Sequence, residues 1–184
     1  MRTEAERIDL IREWSPFERY ETESMITELV NMGFFTAPAS TKYHGAYEGG
    51  LFDHSYNVFQ NLMHLDSAMG LKWEGKHPHE AMFIIGFFHD LCKCDCYENQ
   101  PDGTYKYRTD TLLTGHGEKS VMLLNKLCLE LNDEIIACIR YHMGAFTDKE
   151  AWSSYTNAIH KYPNVLWTHT ADMMAAHIDE IEKD

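Results

Sequence analysis

Apolar residues recur every three or four positions through most of the chain, a period typical of α-helices packed against a core. After residue 50, for example, Leu51, Val58 and Leu62 fall on one helical face. The pattern predicts helices over 3–13, from Ser15 to Asn31, from Leu51 to Met69, from Pro78, from Gly115 to Leu131, from Asn132 or Asp133, over 148–161 and from Pro163, the last fraying from Glu180 onward. Ser15 is the predicted N-cap of the second helix, with Glu18 completing a capping box.

Two stretches lack this period. The segment from Gly33 to Gly50 is irregular, and loops of that length in compact domains are often functional. A turn signal at residues 100–103 is flanked by alternating residues, which predicts a two-stranded hairpin containing Cys94 and Cys96 on one side and Tyr105 and Tyr107 on the other. The sequence therefore predicts an all-α fold with one small β-hairpin, in a single domain over residues 1–184.

Charge and composition narrow the function classes. Asp and Glu number 29 against 16 Lys and Arg, so the net charge is −13. This balance makes a long nucleic acid or a membrane surface an unlikely partner, because both favour a basic face. It does not exclude phosphate substrates, since a bound metal cation reverses the local field. With neither an export signal nor an apolar run of about 18 residues, the expected location is the cytoplasm.

The five cysteines are expected to be reduced thiols, because their number is odd and no export signal precedes them. Cys92, Cys94 and Cys96 form a cluster with alternate spacing. Structural zinc sites usually separate their cysteines by two to four residues, so a zinc site here is the weaker of two interpretations. Ordinary buried or half-buried thiols are the stronger one, and the role of the cluster is left open.

Several histidines and carboxylates fall where a helix should present apolar side chains. His54 lies in the third predicted helix, and His89 and Asp90 follow the apolar run 82–88. His142 and Asp172 continue apolar faces further along the chain. A buried carboxylate needs a cation, and neutral imidazole is a common metal ligand. The pattern predicts a divalent metal site inside the bundle, with His89 and Asp90 converging only where a helix ends.

On these residues the chain resembles the HD-domain superfamily of metal-dependent phosphohydrolases. The family signature is a His, then a His-Asp doublet, then a distal Asp, matched here by His54, His89-Asp90 and Asp172 over about residues 43–176. The stretch 43–50 also resembles the approach loop of HD-type 3′–5′ exoribonucleases. At positions 92 and 94 the family usually has small or apolar residues, whereas this chain has cysteines. This departure leaves open which metal the site prefers, but it does not affect the match to the motif.

The resemblance also extends to His116 and His142. In branches of the family with these extra histidines, they complete a second metal site that the doublet Asp bridges. In single-metal branches, the corresponding histidines contact substrate instead. The implied cofactor is therefore one or two divalent transition metal ions per chain, drawn from Mn, Fe, Co, Ni or Zn.

The resemblance implies hydrolysis of a phosphate ester or anhydride by a metal-activated water. The expected metal ligands are His54, His89, Asp90, His116, His142 and Asp172, and the expected catalytic residues are Asp90, Lys93, His116 and His142. The expected substrate-binding residues are Lys93, His44, Tyr47 and Glu118. Some of these residues have an alternative role. Lys93 is alternatively a positive charge favoured at the C-terminal end of a helix, and His44 and Tyr47 alternatively pack within their loop. His169 is expected either to support Asp172 or to pack against its neighbours.

Three functions remain open at this level. The first is a phosphohydrolase acting on a nucleotide or a small phosphorylated metabolite, which suits one small domain without a basic stripe. The second is a 3′–5′ exonuclease on single-stranded RNA or DNA ends, which the 43–50 loop favours and the short acidic chain disfavours. The third is a catalytically silent module that binds a nucleotide, which ranks lowest because the chain keeps every ligand. The oligomeric state is not predicted.

Overall fold

The computed structural model describes residues 1–75, 77–113 and 115–180. Within these ranges the chain forms eight α-helices and one two-stranded antiparallel sheet. The helices are α1 Glu4–Trp14, α2 Arg19–Met32, α3 Gly50–Met69, α4 Pro78–Phe88, α5 Gly117–Leu124, α6 Asp133–Tyr141, α7 Trp152–Lys161 and α8 Asn164–Met174, and the strands are β1 Tyr97–Asn99 and β2 Tyr105–Tyr107. Short 3₁₀ turns occupy Leu91–Asp95, Asn125–Leu127, Gly144–Phe146 and Lys149–Ala151, and Ala175–Asp179 is a π-helical turn. The predicted all-α class with one hairpin is confirmed.

Helix α4 lies at the centre of the bundle. Every residue from Ala81 to Phe88 is buried, because the helix is apolar on all sides and other elements surround it. Gly86 allows α3 to approach closely, since a Cβ at this position would lie 2.5 Å from the Cα of Phe59. Rings from both helices fill the contact, with Phe59 and Phe87 centroids 5.0 Å apart. Helices α3 and α6 pack against α4, and α8 packs against α3 and α6.

The start of α2 differs from the prediction. Ser15 ends α1 as its C-cap, and its hydroxyl hydrogen-bonds the hydroxyl of Thr22 at 2.7 Å. Helix α2 begins at Arg19 with Glu18 as its N-cap, and Glu18 and Glu21 form the capping box. The predicted N-cap at Ser15 is therefore wrong, because the Ser15 side chain joins two helices instead of capping the second.

The segments around the hairpin and α5 are also shorter than predicted. Cys94 lies in the 3₁₀ turn, so β1 starts only at Tyr97, which pairs with Tyr107. Helix α5 ends at Leu124, and Cys128 has a positive φ of 54° that a continuing right-handed helix excludes. The predicted helix to Leu131 is wrong in length, because its periodic apolar residues continue through a 3₁₀ turn and a loop.

A buried arginine fixes the long loop before α3. The Arg7 guanidinium donates hydrogen bonds to the carbonyls of Phe35 and Glu48 and to the Asp53 carboxylate. A Cβ at Gly49 would lie 2.0 Å from this guanidinium, so the loop passes close to it only as glycine. Helix α1 thus holds the 43–50 loop against the start of α3. Among the described helices, none has the length and apolar character needed to cross a membrane.

Candidate metal centre

Five separate parts of the fold bring six of the predicted residues to one buried point. They are the first turn of α3, the end of α4, the residue before α5, the residue after α6 and the middle of α8, which supply His54, His89 with Asp90, His116, His142 and Asp172. Helix α4 ends at Phe88, and Asp90 leaves helical geometry with φ −105° and ψ 18°. This break lets the adjacent His89 and Asp90 side chains face the same point.

The donor atoms lie at distances that suit shared coordination. His116 Nε2 is 2.8 Å and His142 Nε2 is 3.4 Å from Asp90 Oδ1. On the other side, His54 Nε2 is 3.1 Å from Asp172 Oδ1 and 3.8 Å from Asp90 Oδ2. Two ligands that are each about 2.1 Å from one metal lie at most about 4.2 Å apart. The geometry therefore fits a metal without rearrangement of these side chains.

The far nitrogens of the imidazoles are already occupied, which aims the near nitrogens at the centre. Nδ1 of His89 donates to the Gly86 carbonyl at 3.0 Å, and Nδ1 of His142 donates to the Ile139 carbonyl at 2.7 Å. With Nδ1 protonated, Nε2 carries the lone pair that a metal ligand requires. Among the described residues, Nε2 of His54, His89 and His142 and Oδ1 of Asp90 are buried and make no hydrogen bond of good geometry, although other polar atoms of the cluster lie close to them. A metal ion would satisfy all four atoms.

The candidate ligands form overlapping sets centred on Asp90. One set is His54, His89 and Asp90, and another is Asp90, His116 and His142. The two Asp90 oxygens face different histidines, since Oδ2 lies nearest His54 and His89 and Oδ1 lies nearest His116 and His142. The mixture of imidazole nitrogen and carboxylate oxygen suits Mn, Fe, Co, Ni or Zn.

The electrostatics of the cluster favour a cation. Burial alone would raise the pKa of Asp90, but Lys93, His89 and His116 outweigh it and hold this pKa well below the usual value. Burial lowers the pKa of His89 to about 3, so this imidazole is neutral. Burial also opposes the charged form of His54, but Asp172 and Glu180 raise its pKa to about 10. The carboxylates are therefore ionised and face at least one neutral imidazole that is ready to bind metal.

A cavity of about 390 Å³ opens onto the cluster. Its wall includes Asp90, Lys93, His116 and Asp172 together with Tyr97 and Tyr107 of the hairpin. The Lys93 ammonium lies 2.6 Å from Asp90 Oδ2, and only 13% of the Lys93 side chain is exposed. His116 is the most accessible of the four cluster imidazoles, with 37% of its side chain exposed. The cavity thus joins the carboxylates, a fixed cation and an accessible imidazole.

The predicted substrate residues separate into two groups. His44 lines the cavity, and its ring lies 5.0 Å from that of His54. Tyr47 and Glu118 do not line it: Tyr47 donates to Asp53 at 3.1 Å, and Glu118 pairs with Arg140. His169 lines the cavity and its Nδ1 donates to the His142 carbonyl at 2.8 Å, which supports the segment after α6.

Two neighbours of the cluster were not predicted as site residues. The Cys92 sulfur lies 3.3 Å from Nδ1 of His116, and Glu180 accepts a hydrogen bond of 2.9 Å from Nδ1 of His54. The prediction that the chain frays from Glu180 is wrong at that residue, because its carboxylate is bound to α3. Residues 181–184 lie outside the described part of the chain. In the sequence, the sign of a contact here was a polar face on the third helix, which begins at His54 and continues through Asn57 and Asn61.

The fold and the site together define an all-α protein with a buried His/Asp centre fitted to divalent metal. The family model of the HD domain matches residues 51–183. The chain therefore belongs to the HD-domain family, whose members are generally metal-dependent phosphohydrolases, and the family resemblance noted from the sequence is confirmed. No curated protein and no solved structure matches the chain.

Proposed function

We propose that the protein hydrolyses a phosphate ester or anhydride of a nucleotide or a small phosphorylated metabolite, with one or two divalent metals. One observation carries the proposal: a buried Asp90 carboxylate lies within 3.8 Å of Nε2 of four imidazoles, whose other ring nitrogens are all engaged. A purely structural role for this cluster would leave several buried polar atoms without partners, at a cost of about 1–3 kcal/mol each.

When bound, a divalent metal supplies Lewis acidity and brings water closer to ionisation at neutral pH. The residues that would hold it are His54, His89, Asp90, His142 and Asp172, with His116 added for a second ion. Their arrangement around Asp90 leaves the side facing the cavity open to substrate. A metal held by these residues would meet a phosphoryl group that enters the cavity.

Lys93 is the residue that we assign to the phosphoryl group. Its ammonium lines the cavity beside Asp90, and the ion pair of 2.6 Å with Asp90 Oδ2 holds it in place. Burial would lower the pKa of Lys93, but Asp90 outweighs it and raises the pKa, so the group stays charged. A fixed ammonium in a partly dry cavity stabilises the charge that builds up on phosphoryl oxygens during hydrolysis.

The number of metals decides the role of His116. With two metals its Nε2 is a ligand beside Asp90 Oδ1. With one metal, Nε2 would hold the proton that goes to the leaving oxygen, because His116 lines the cavity and is the most accessible of the four cluster imidazoles. Cys92 at Nδ1 keeps the ring orientation the same in both cases.

The cavity favours a small substrate. Its volume of about 390 Å³ falls in the range of pockets for small molecules, and the net charge of −13 opposes a long nucleic acid on the outer surface. His44, from the 43–50 loop that resembles that of the exoribonucleases, lines the same cavity. This placement is the observation that keeps exonuclease activity as the second candidate.

The test is a substrate panel on metal-loaded protein. Purified chain would be stripped with chelator, reloaded with Mn²⁺ or Co²⁺, and assayed on nucleoside mono- and triphosphates, small phosphate monoesters and a short single-stranded RNA. We expect turnover on a nucleotide or small ester that exceeds turnover on the RNA. Faster release of nucleotides from the 3′ end of the RNA would support the exonuclease instead.

Two variants accompany this panel. Asp90→Ala tests the cluster, and Asp9→Ala, which removes a carboxylate from the exposed face of α1, is the matched control. We expect Asp90→Ala to abolish turnover and to lower metal content, whereas Asp9→Ala keeps both. Equal activity of Asp90→Ala and the wild type would overturn the proposal. Tight nucleotide binding without turnover by the metal-loaded wild type would identify a silent binding module.

A further inference from the structure

The turn that follows α8 folds back onto α3 beside the metal centre. Ala175–Asp179 is π-helical, and the Glu180 amide donates to the Ala175 carbonyl at 3.1 Å. A π-turn inserts one residue relative to an α-helix and is frequent at functional sites. Here it brings two consecutive carboxylates, those of Asp179 and Glu180, to the polar face of α3.

Two asparagines on α3 receive these carboxylates. Asn61 donates to Asp179 at 2.8 Å and to the Ala171 carbonyl at 3.3 Å, while Asn57 donates to Glu180 at 3.2 Å. Residues 54, 57 and 61 lie on one face of a helix, since they are three and four positions apart. The face that holds the turn is therefore the face that presents His54.

His54 differs from the other imidazoles of the centre in the partner of its Nδ1. That partner is the Glu180 carboxylate at 2.9 Å, whereas His89 and His142 use backbone carbonyls and His116 faces a thiol. A carboxylate on the far nitrogen fixes the ring orientation and makes the near nitrogen a stronger ligand. Glu180 is itself nearly buried, with 11% of its side chain exposed, so its charge acts on His54 with little screening by water.

We propose that Glu180 is a positioning residue for the metal centre: through its hydrogen bond it orients His54 and strengthens metal binding, so that the docked turn after α8 completes the site. This inference rests on the metal-dependent function proposed above. The expected size of the effect follows from other supporting carboxylates of this kind, whose loss typically weakens metal affinity about 10–100-fold.

Glu180→Ala and Asp179→Ala form a matched pair for the test. Each removes one carboxylate from the same turn and one contact with an asparagine of α3, but only Glu180 contacts His54. The dissociation constant for Co²⁺ would be measured by competition with a chelator. The melting temperature of the metal-free protein, measured alongside, reports the docking of the turn. We expect about 10–100-fold weaker Co²⁺ binding for Glu180→Ala and little change for Asp179→Ala.

A double-mutant cycle shows whether the effect passes through His54. In a His54→Gln background, Glu180→Ala should cause no further loss of Co²⁺ affinity, because the ring it orients is absent. An additive loss would overturn the inference, as would equal loss from both alanine variants or wild-type affinity in Glu180→Ala. Absence of Co²⁺ binding by the wild type would overturn the proposed function itself, which separates the two failures.

Discussion

Lys93 and Asp90 form a buried ion pair in which Nζ lies 2.6 Å from Oδ2. The two residues are three positions apart, across the point where α4 gives way to a 3₁₀ turn. The ammonium therefore lies on the Oδ2 side of the carboxylate, whereas Oδ1 faces His116 and His142. With the proposed role in binding the phosphoryl group, Lys93 would also compete with a metal for the charge of Asp90, and the two roles respond differently to mutation.

Lys93→Met should lower turnover while preserving metal binding. Loss of a fixed donor to developing phosphoryl charge typically costs about 10²–10³-fold in kcat. Affinity for Co²⁺ should equal or exceed that of the wild type, because a competing positive charge has been removed. The metal-free variant should lose about 1.5–3 kcal/mol of unfolding free energy, since the buried Asp90 carboxylate loses its ammonium partner but keeps its histidine neighbours. Kinetics, chelator competition and urea unfolding would measure the three effects, and weaker Co²⁺ binding would contradict this assignment.

His116→Ala should lower the metal content from two ions to one per chain. The reason is that Asp90, His116 and His142 form a separate ligand set on the Oδ1 side of Asp90. Mass spectrometry of the metals that remain after gel filtration would measure the stoichiometry. His160→Ala, at an exposed position of α7, is the control. Unchanged stoichiometry with reduced turnover would favour the proton-donor role of His116 and a single metal.

Cys96 should be the most reactive of the non-exposed thiols. Contact with the Cys92 thiol and the Lys119 ammonium, 3.9 Å away, lowers the pKa of Cys96 to about 7 despite its burial. Burial raises the pKa of Cys94 and Cys138 instead. Thiolate is the reactive form, so alkylation of Cys96 should increase as the pH rises through about 7.

Peptide mass spectrometry after brief iodoacetamide treatment would measure this, in a Cys128→Ser background because Cys128 is exposed. Lys119→Met should move the alkylation midpoint of Cys96 to higher pH, since the neighbouring positive charge is lost. Labelling of Cys94 or Cys138 as fast as that of Cys96 in the folded protein would be inconsistent with the observed environments.

Gly86→Ala should destabilise the protein even though alanine favours helices. The added Cβ would lie 2.5 Å from the Phe59 Cα, so α3 and α4 would have to separate. Overpacking of this kind costs about 1–3 kcal/mol, which outweighs the gain of about 0.5–1 kcal/mol from helix propensity. Urea unfolding would measure the difference, with Ser67→Ala on the exposed surface of α3 as control. Equal or greater stability of Gly86→Ala would show that the helices can adjust.

Local pattern was sufficient to locate most helices and the candidate metal ligands in or beside them. The 3.6-residue period located α3 and α4, because an apolar stripe must face the core whatever its partner. The same stripe revealed three polar residues at positions where a helix buries its side chains, namely His54, His89 and Asp90. It failed where a helix boundary depends on contacts with other elements, as at Ser15, whose hydroxyl bonds Thr22.

Only the tertiary structure decided which groups surround the metal residues. Glu180 reaches His54 across 126 positions, and Cys92 reaches His116 across 24, through the packing of α8 on α3 and of α5 on the turn after α4. Neither contact leaves a periodic signal, because a single hydrogen bond between distant segments has no repeat along the chain. The sequence by itself determined the helices and the types of the candidate ligands, and the packing of the helices determined how these side chains are oriented.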